Sequence, residues 1–274
     1  MPDWIAVVIL GIIEGITEFI PISSTGHLLI AEKWLIAAKW LSRSPGDLFN
    51  VVIQCGAVLA VLPLFSVRCQ QLIFRWRDAE TRSYLLKLMV AFGLTGLVGF
   101  GLEKKGFKLP DNPRPVAWAL LVGGLLFVLV ERWLRGKPLR DEVTWPVAVA
   151  VGVGQLAAMI FPGASRSGST ILFSLILGLS RPMATEFSFL VGIPTMLAAG
   201  GWKILKALRH ANDATIAAGA VPENWGMVIL GTVVAAVVSF AAVKWFLRYI
   251  QTHSFEGFGW YRIALGVLIL VFIR

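Results

Sequence analysis

Gly11-Ile12-Ile13-Glu14-Gly15-Ile16-Thr17-Glu18-Phe19-Ile20-Pro21-Ile22-Ser23-Ser24-Thr25-Gly26-His27 interrupts an apolar stretch that spans residues 4–41. Two carboxylates, a proline and a run of hydroxyls stand where an unbroken membrane helix would carry apolar side chains. Proline has no N–H to donate, so the stretch reads as one helix that stops at Pro21 and another that opens in the serines after it. Residues 145–178 have the same character: Gly152-Val153-Gly154-Gln155 leads to Phe161-Pro162-Gly163-Ala164-Ser165-Arg166-Ser167-Gly168-Ser169-Thr170 and then back to Ile171-Leu172-Phe173. A displacement of 141 positions lays Gly11 on Gly152, Glu14 on Gln155, Pro21 on Pro162 and Ser24 on Ser165. Paired interruptions of this kind point to an internally duplicated membrane fold with its site near the midplane.

The rest of the chain supplies the spans. With 57% hydrophobic and 15% charged residues, the composition excludes an ordinary soluble domain. Apolar runs at 47–65, 84–102, 115–133, 183–201, 226–248 and 258–273 are each near the length a helix needs to cross the hydrocarbon. The expected fold is an all-α integral membrane protein with about six transmembrane helices and two re-entrant helical hairpins in an inverted repeat. It forms a single polytopic domain, residues 1–274, with halves at 1–133 and 134–274. Most of the eleven tryptophans, Trp4, Trp118, Trp133 and Trp202 among them, fall near the ends of apolar runs, as in an interfacial belt.

The formal charge of +9 comes from residues scattered over membrane-flanking loops, which favours topology and anionic headgroups over nucleic acid. Three spans separate the two hairpins, so the hairpins enter from opposite faces and both termini share a side. A slight excess of Lys and Arg around loops 66–83, 134–144 and 249–257 makes that side cytoplasmic and leaves the termini outside. The first segment carries no basic leader or cleavage pattern and is expected to stay. Cys55 and Cys69 lack disulfide or metal-ligand spacing and are expected to be bystanders, and His210 and His253 receive no role.

Glu14 and Glu18, four residues apart, share one helical face. They suit a divalent cation, Mg2+ or Ca2+, or mutual tuning so that one acts as a base. Free N–H groups at the helix start in Ser23-Ser24-Thr25 attract phosphate. The second break adds the fork of Arg166, with hydroxyls from Ser165, Ser167 and Thr170. His27, one turn after Ser24, is a candidate nucleophile, base or acid. Gln54 and Glu186 read as glue between helices rather than as support for the site.

Glu14 through His27 and Pro162 through Thr170 together resemble the two signatures of the bacitracin-resistance type of undecaprenyl-diphosphate phosphatase, and the resemblance extends over essentially the full chain. It implies a bacterial inner-membrane enzyme that removes the terminal phosphate of a C55 polyprenyl diphosphate with the support of divalent cations. It further implies that Glu14, Glu18, Ser24, His27 and Arg166 are essential and that Ser165 and Thr170 lie in a phosphate-binding loop. The site is then expected to open to the periplasm, and the partners to be the polyprenyl diphosphate, the membrane and a second copy in a homodimer. Whether Ser24, His27 or water attacks stays open, and a lipid or anion transporter built on the same midplane site is the rival reading.

Overall fold

A computed structural model describes residues 3–41, 45–104, 113–211 and 224–272. His210 lies outside the described side chains. Eleven α-helices are named among the described residues: α1 (Asp3–Thr17), α2 (Ser24–Ala37), α3 (Asp47–Val61), α4 (Ser66–Phe74), α5 (Ala79–Lys104), α6 (Pro113–Leu134), α7 (Trp145–Ile160), α8 (Arg166–Ile176), α9 (Arg181–Ala211), α10 (Trp225–Tyr249) and α11 (Glu256–Phe272).

Five segments, Leu48–Phe74, Ala79–Leu102, Pro113–Leu134, Arg181–Ala207 and Trp225–Tyr249, are long and apolar enough to cross a membrane. The sixth expected span is the 17-residue α11. Where the sequence reading places a loop at 66–83, the chain stays helical through Phe74. Pro63 sits at the start of a one-turn 3-10 helix, Leu62–Phe65, where its missing N–H costs nothing, and α4 follows directly. Arg68 and Cys69 are therefore helical residues. The Arg68 Nε donates to Glu186 at 2.7 Å, and Tyr84 hydroxyl donates to the same oxygen at 3.5 Å, so Glu186 does join helices as expected.

Because lipid is as apolar as leucine, helices in a membrane associate through close packing rather than hydrophobic burial. The glycines of α1 show this. A Cβ on Gly15 would meet the Ala235 carbonyl at 2.8 Å and the Val238 side chain at 2.7 Å, so only glycine lets α1 lie this close to α10. Most of the closely packed helix pairs follow one exchange rule: α1 packs on α10 as α7 packs on α5, α1 on α2 as α7 on α8, and α10 on α3 as α5 on α9. The pairs α3–α9 and α6–α11 map onto themselves.

The interior gathers around the first break. Phe19 is buried and meets Phe189 of α9 edge-on with ring centroids 4.9 Å apart, and Phe189 stacks on Phe246 of α10. Phe19 thus anchors a stretch of non-helical backbone at the centre of the bundle. Trp4, Trp118, Trp133 and Trp202 are all about half exposed on the outside.

Candidate active site

Each break is a stop, a turn and a capped restart. Helix α1 ends at Thr17, whose hydroxyl donates to the Ile13 carbonyl at 2.7 Å, and Glu18 N–H still reaches Glu14 O at 3.0 Å. Helix α7 ends at Ile160, and the chain turns through Pro162 and Gly163, whose φ of 90° suits a glycine. Both restarts are capped by a serine in the left-handed region, Ser23 with φ 74° and Ser165 with φ 66°. Each serine hydroxyl accepts the N–H three residues on, Gly26 at 3.3 Å and Gly168 at 3.1 Å. The structural counterpart of Ser165 is accordingly Ser23, where the displacement of 141 had paired it with Ser24. Between proline and cap the second break holds one residue more than the first, which shifts the register by one. Ser24 and Arg166 therefore occupy the same position, the first residue of α2 and of α8 respectively.

These two residues converge on Glu18. Ser24 Oγ donates to Glu18 Oε2 at 2.6 Å, and an Arg166 terminal nitrogen donates to Glu18 Oε1 at 2.7 Å, across 148 positions of sequence. Both breaks are thus joined through one carboxylate whose side chain is 6% exposed. Ser167 ties the second break back to the first by donating to the Glu18 carbonyl at 3.3 Å and the Ile20 carbonyl at 3.5 Å.

A cavity of about 260 Å³ opens on this junction, lined by Glu18, Ser24, Thr25, Ser165 and Arg166 with Gln54, Thr95 and Gln155 among its other walls. Gln54, expected as helix glue, faces the site instead. A larger cavity of about 740 Å³ lies around Arg68, Arg75, Asp78, Lys87 and Asp141, where charges of both signs are mixed.

The remaining expected residues stand behind the cavity rather than on it. Ser23 caps α2, and the buried Thr170 hydroxyl donates within its own helix to the carbonyl of Arg166 at 2.8 Å and that of Ser167 at 3.2 Å. His27 turns away from Ser24: its Nδ1 lies 2.7 Å from the Ser23 carbonyl and its Nε2 2.7 Å from the Tyr261 hydroxyl. Glu14 is fully buried one turn before Glu18, and neither of its carboxylate oxygens has a hydrogen-bond partner among the described residues. An orphaned buried carboxylate is costly, and a cation or a proton is what it lacks. Glu14 and Glu18 thus fit a divalent ion as a two-carboxylate set, with no third His, Cys, Asp or Glu grouped with them among the described residues.

One residue of the site is absent from the sequence reading. Arg262 of α11 is 1% exposed and donates to the carbonyls of Pro21 at 3.3 Å, Ala119 at 3.2 Å, Gly163 at 3.5 Å and Ala164 at 2.9 Å. It grips both breaks at once. A Cβ on Gly123 would lie 2.2 Å from its terminal nitrogen, so that glycine is the space in which the guanidinium sits. The signal available in the sequence was an arginine inside an apolar run, which is expensive without a purpose. Next to it, Tyr261 reaches His27.

The chain resembles known proteins over its whole length. It is 47% identical over 269 residues to the undecaprenyl-diphosphatase of Rhizobium etli strain CFN 42, covering 98% of this chain and 96% of the relative. It is 45% identical over 274 residues to the undecaprenyl-diphosphatase of Xanthomonas oryzae pv. oryzae strain PXO99A, covering 100% and 98%. Residues 7–268 match the family model described as bacitracin resistance protein BacA, a match that contains both breaks, the Glu18 junction and Arg262; the chain belongs to that family.

Proposed function

We propose that this protein is a membrane phosphatase that hydrolyses undecaprenyl diphosphate to the monophosphate and inorganic phosphate, and so recycles the lipid carrier of cell-wall synthesis and confers bacitracin resistance. The carrying observation is the Glu18 carboxylate held between the Ser24 hydroxyl and the Arg166 guanidinium. The names of the relatives from Rhizobium etli and Xanthomonas oryzae support the substrate.

In this reading the terminal phosphate enters the cavity, whose size suits a headgroup rather than a prenyl tail, and the tail stays in hydrocarbon. Arg166 and the N-terminal N–H groups of α2 and α8 neutralise its charge. Ser24 Oγ attacks the terminal phosphorus while its proton passes to Glu18, and as the bond from phosphorus to the bridging oxygen breaks Glu18 hands that proton to the departing lipid monophosphate, which leaves its carboxylate free again. Water then cleaves the phosphoserine, its proton taken by Glu18 and returned to Ser24. His27 belongs to the essential set through the turn that presents Ser24. Glu14 and Glu18 would hold the Mg2+ or Ca2+, which supplies charge neutralisation at the phosphoryl oxygens when bound.

In this reading the site faces the outer, periplasmic side of the inner membrane, which labelling of single cysteines in the 66–83 and 134–144 segments from either side tests. A homodimer is part of the same proposal, and the mass of the particle in nanodiscs tests it. The exchange of helix partners between the two halves favours a second reading, a lipid or anion flippase. Against it, Glu18 with Ser24 has no acidic counterpart in the second break, and a carrier needs no such pair. Purified protein assayed for phosphate release from a polyprenyl diphosphate, with and without EDTA, decides. Release that collapses in Glu18→Gln, Ser24→Ala and Arg166→Ala supports the phosphatase; folded wild type that releases nothing transfers the case to the flippase.

A further inference from the structure

We infer that Tyr261 is a positioning residue that acts through His27 on the Ser23–Ser24 turn, and that His27 serves as a structural donor to that turn rather than as a base or nucleophile. The inference rests on the phosphatase reading for its kinetic readout only.

The hydrogen-bond chemistry is directional. A carbonyl oxygen only accepts, so the 2.7 Å contact between His27 Nδ1 and the Ser23 carbonyl requires a proton on Nδ1. A neutral imidazole then has a lone pair on Nε2, and the Tyr261 hydroxyl, 2.7 Å away and stacked nearly parallel to the ring, donates to it. Both ring nitrogens are committed, and neither contacts Ser24 or Glu18. Tyr261 holds His27 in the tautomer that supports Ser23.

The two breaks form an internal comparison. Ser23 and Ser165 are both serines in the left-handed region, a conformation that strains a non-glycine residue. At the second break the Ser165 carbonyl receives the first helical N–H, from Ser169, at 2.8 Å. At the first break the corresponding bond, from His27 N–H to Ser23 O, is stretched to 3.4 Å. The short bond to the Ser23 carbonyl comes instead from the His27 ring. His27 and Ser169 occupy equivalent positions in α2 and α8, and the ring is present at the restart whose backbone bond is weak. That restart carries Ser24, whose hydroxyl must stay within 2.6 Å of Glu18.

The test separates a donor from a base. In His27→Asn the amide nitrogen stands where Nδ1 stood and can donate to Ser23 O, but no ring nitrogen remains to take a proton. His27→Asn is expected to keep turnover within roughly tenfold of wild type and well above His27→Ala. Tyr261→Phe should lower kcat roughly three- to tenfold with KM unchanged, as the loss of one hydrogen bond implies, and should add nothing in the His27→Asn background. Turnover of His27→Asn as low as that of His27→Ala overturns the inference. Nitrogen-15 NMR of histidine-labelled protein in nanodiscs supplies a readout independent of activity, with three histidines to assign. His27 should show a protonated Nδ1 and an unprotonated Nε2 that moves toward the free-acceptor position in Tyr261→Phe. A protonated Nε2 in wild type refutes the inference even if phosphate is released, and the expected NMR pattern supports it even if none is.

Discussion

A single methyl group at Gly123 should loosen both breaks. A Cβ there would sit 2.2 Å from one terminal nitrogen of Arg262, 2.9 Å from its central carbon and 3.3 Å from Nε. Ordinary contact is about 3.5 Å, so in Gly123→Ala the guanidinium must retreat by more than about 1 Å. The nitrogen that is displaced is the one that donates to Ala119, Gly163 and Ala164. At least the 2.9 Å bond to Ala164 is lost, and bonds from a charged donor contribute about 1.5–3 kcal/mol each. Alanine in a helix interior returns about 1 kcal/mol relative to glycine, which leaves a net loss of about 0.5–2 kcal/mol for that one bond. For a chain of this size that is an apparent Tm lower by about 1–8 °C in nanodiscs. Phosphate release should fall further than stability does, because the Ala164 carbonyl belongs to the turn that presents Arg166. The control is Gly96→Ala, where an added Cβ meets nothing within 4 Å and the helix should gain stability. Gly123→Ala as stable and as active as Gly96→Ala would refute the claim that Arg262 holds the breaks.

Other outcomes follow from the same geometry. Arg166→Ala leaves the Glu18 carboxylate buried without its ion pair, at a cost on the order of 3–5 kcal/mol, whereas Arg166→Ala combined with Glu18→Gln should lose less than the sum of the singles in thermal unfolding. If Glu14 and Glu18 hold a divalent ion, millimolar Mg2+ or Ca2+ raises the Tm of wild type; Glu14→Gln should remove that shift, and a shift that survives it moves the ion elsewhere. Away from the site, hydrogen bonds from Arg132 at 3.0 Å and Arg135 at 2.5 Å hold the Glu256 carboxyl below the usual carboxylate range. A lowered folded-state pKa contributes stability above the unfolded value, about 4.3, and that contribution disappears as pH falls through the folded value. The Tm difference between wild type and Glu256→Gln should therefore be present at neutral pH, shrink below about pH 4 and be reduced by salt, since the pair is solvent-screened.

Much of this protein was legible in its residues taken in order. Apolar runs of membrane length bounded by tryptophan read as spans, and Pro21 and Pro162 read as breaks because serines and charged residues surround them, whereas Pro194, among apolar neighbours, stays inside α9. The same local logic identified Glu18, Ser24 and Arg166, since charge and hydroxyl groups inside an apolar run need a reason to be there. What depends on contacts between distant segments was not legible. That Glu18 takes Ser24 on one oxygen and Arg166 on the other is a fact about two breaks 148 positions apart. That the histidine faces Tyr261 rather than Ser24 depends on where α11 passes, and the caps at Ser23 and Ser165, rather than the prolines, set the register between the breaks. Arg262 illustrates the division most sharply. In the sequence it is a lone arginine near the start of a span, and only packing, with Gly123 making room beside it, turns it into the clasp of the site. Local sequence dictates where backbone must break and which groups are costly to bury; which partners repay that cost is decided by helices that meet only in the folded protein.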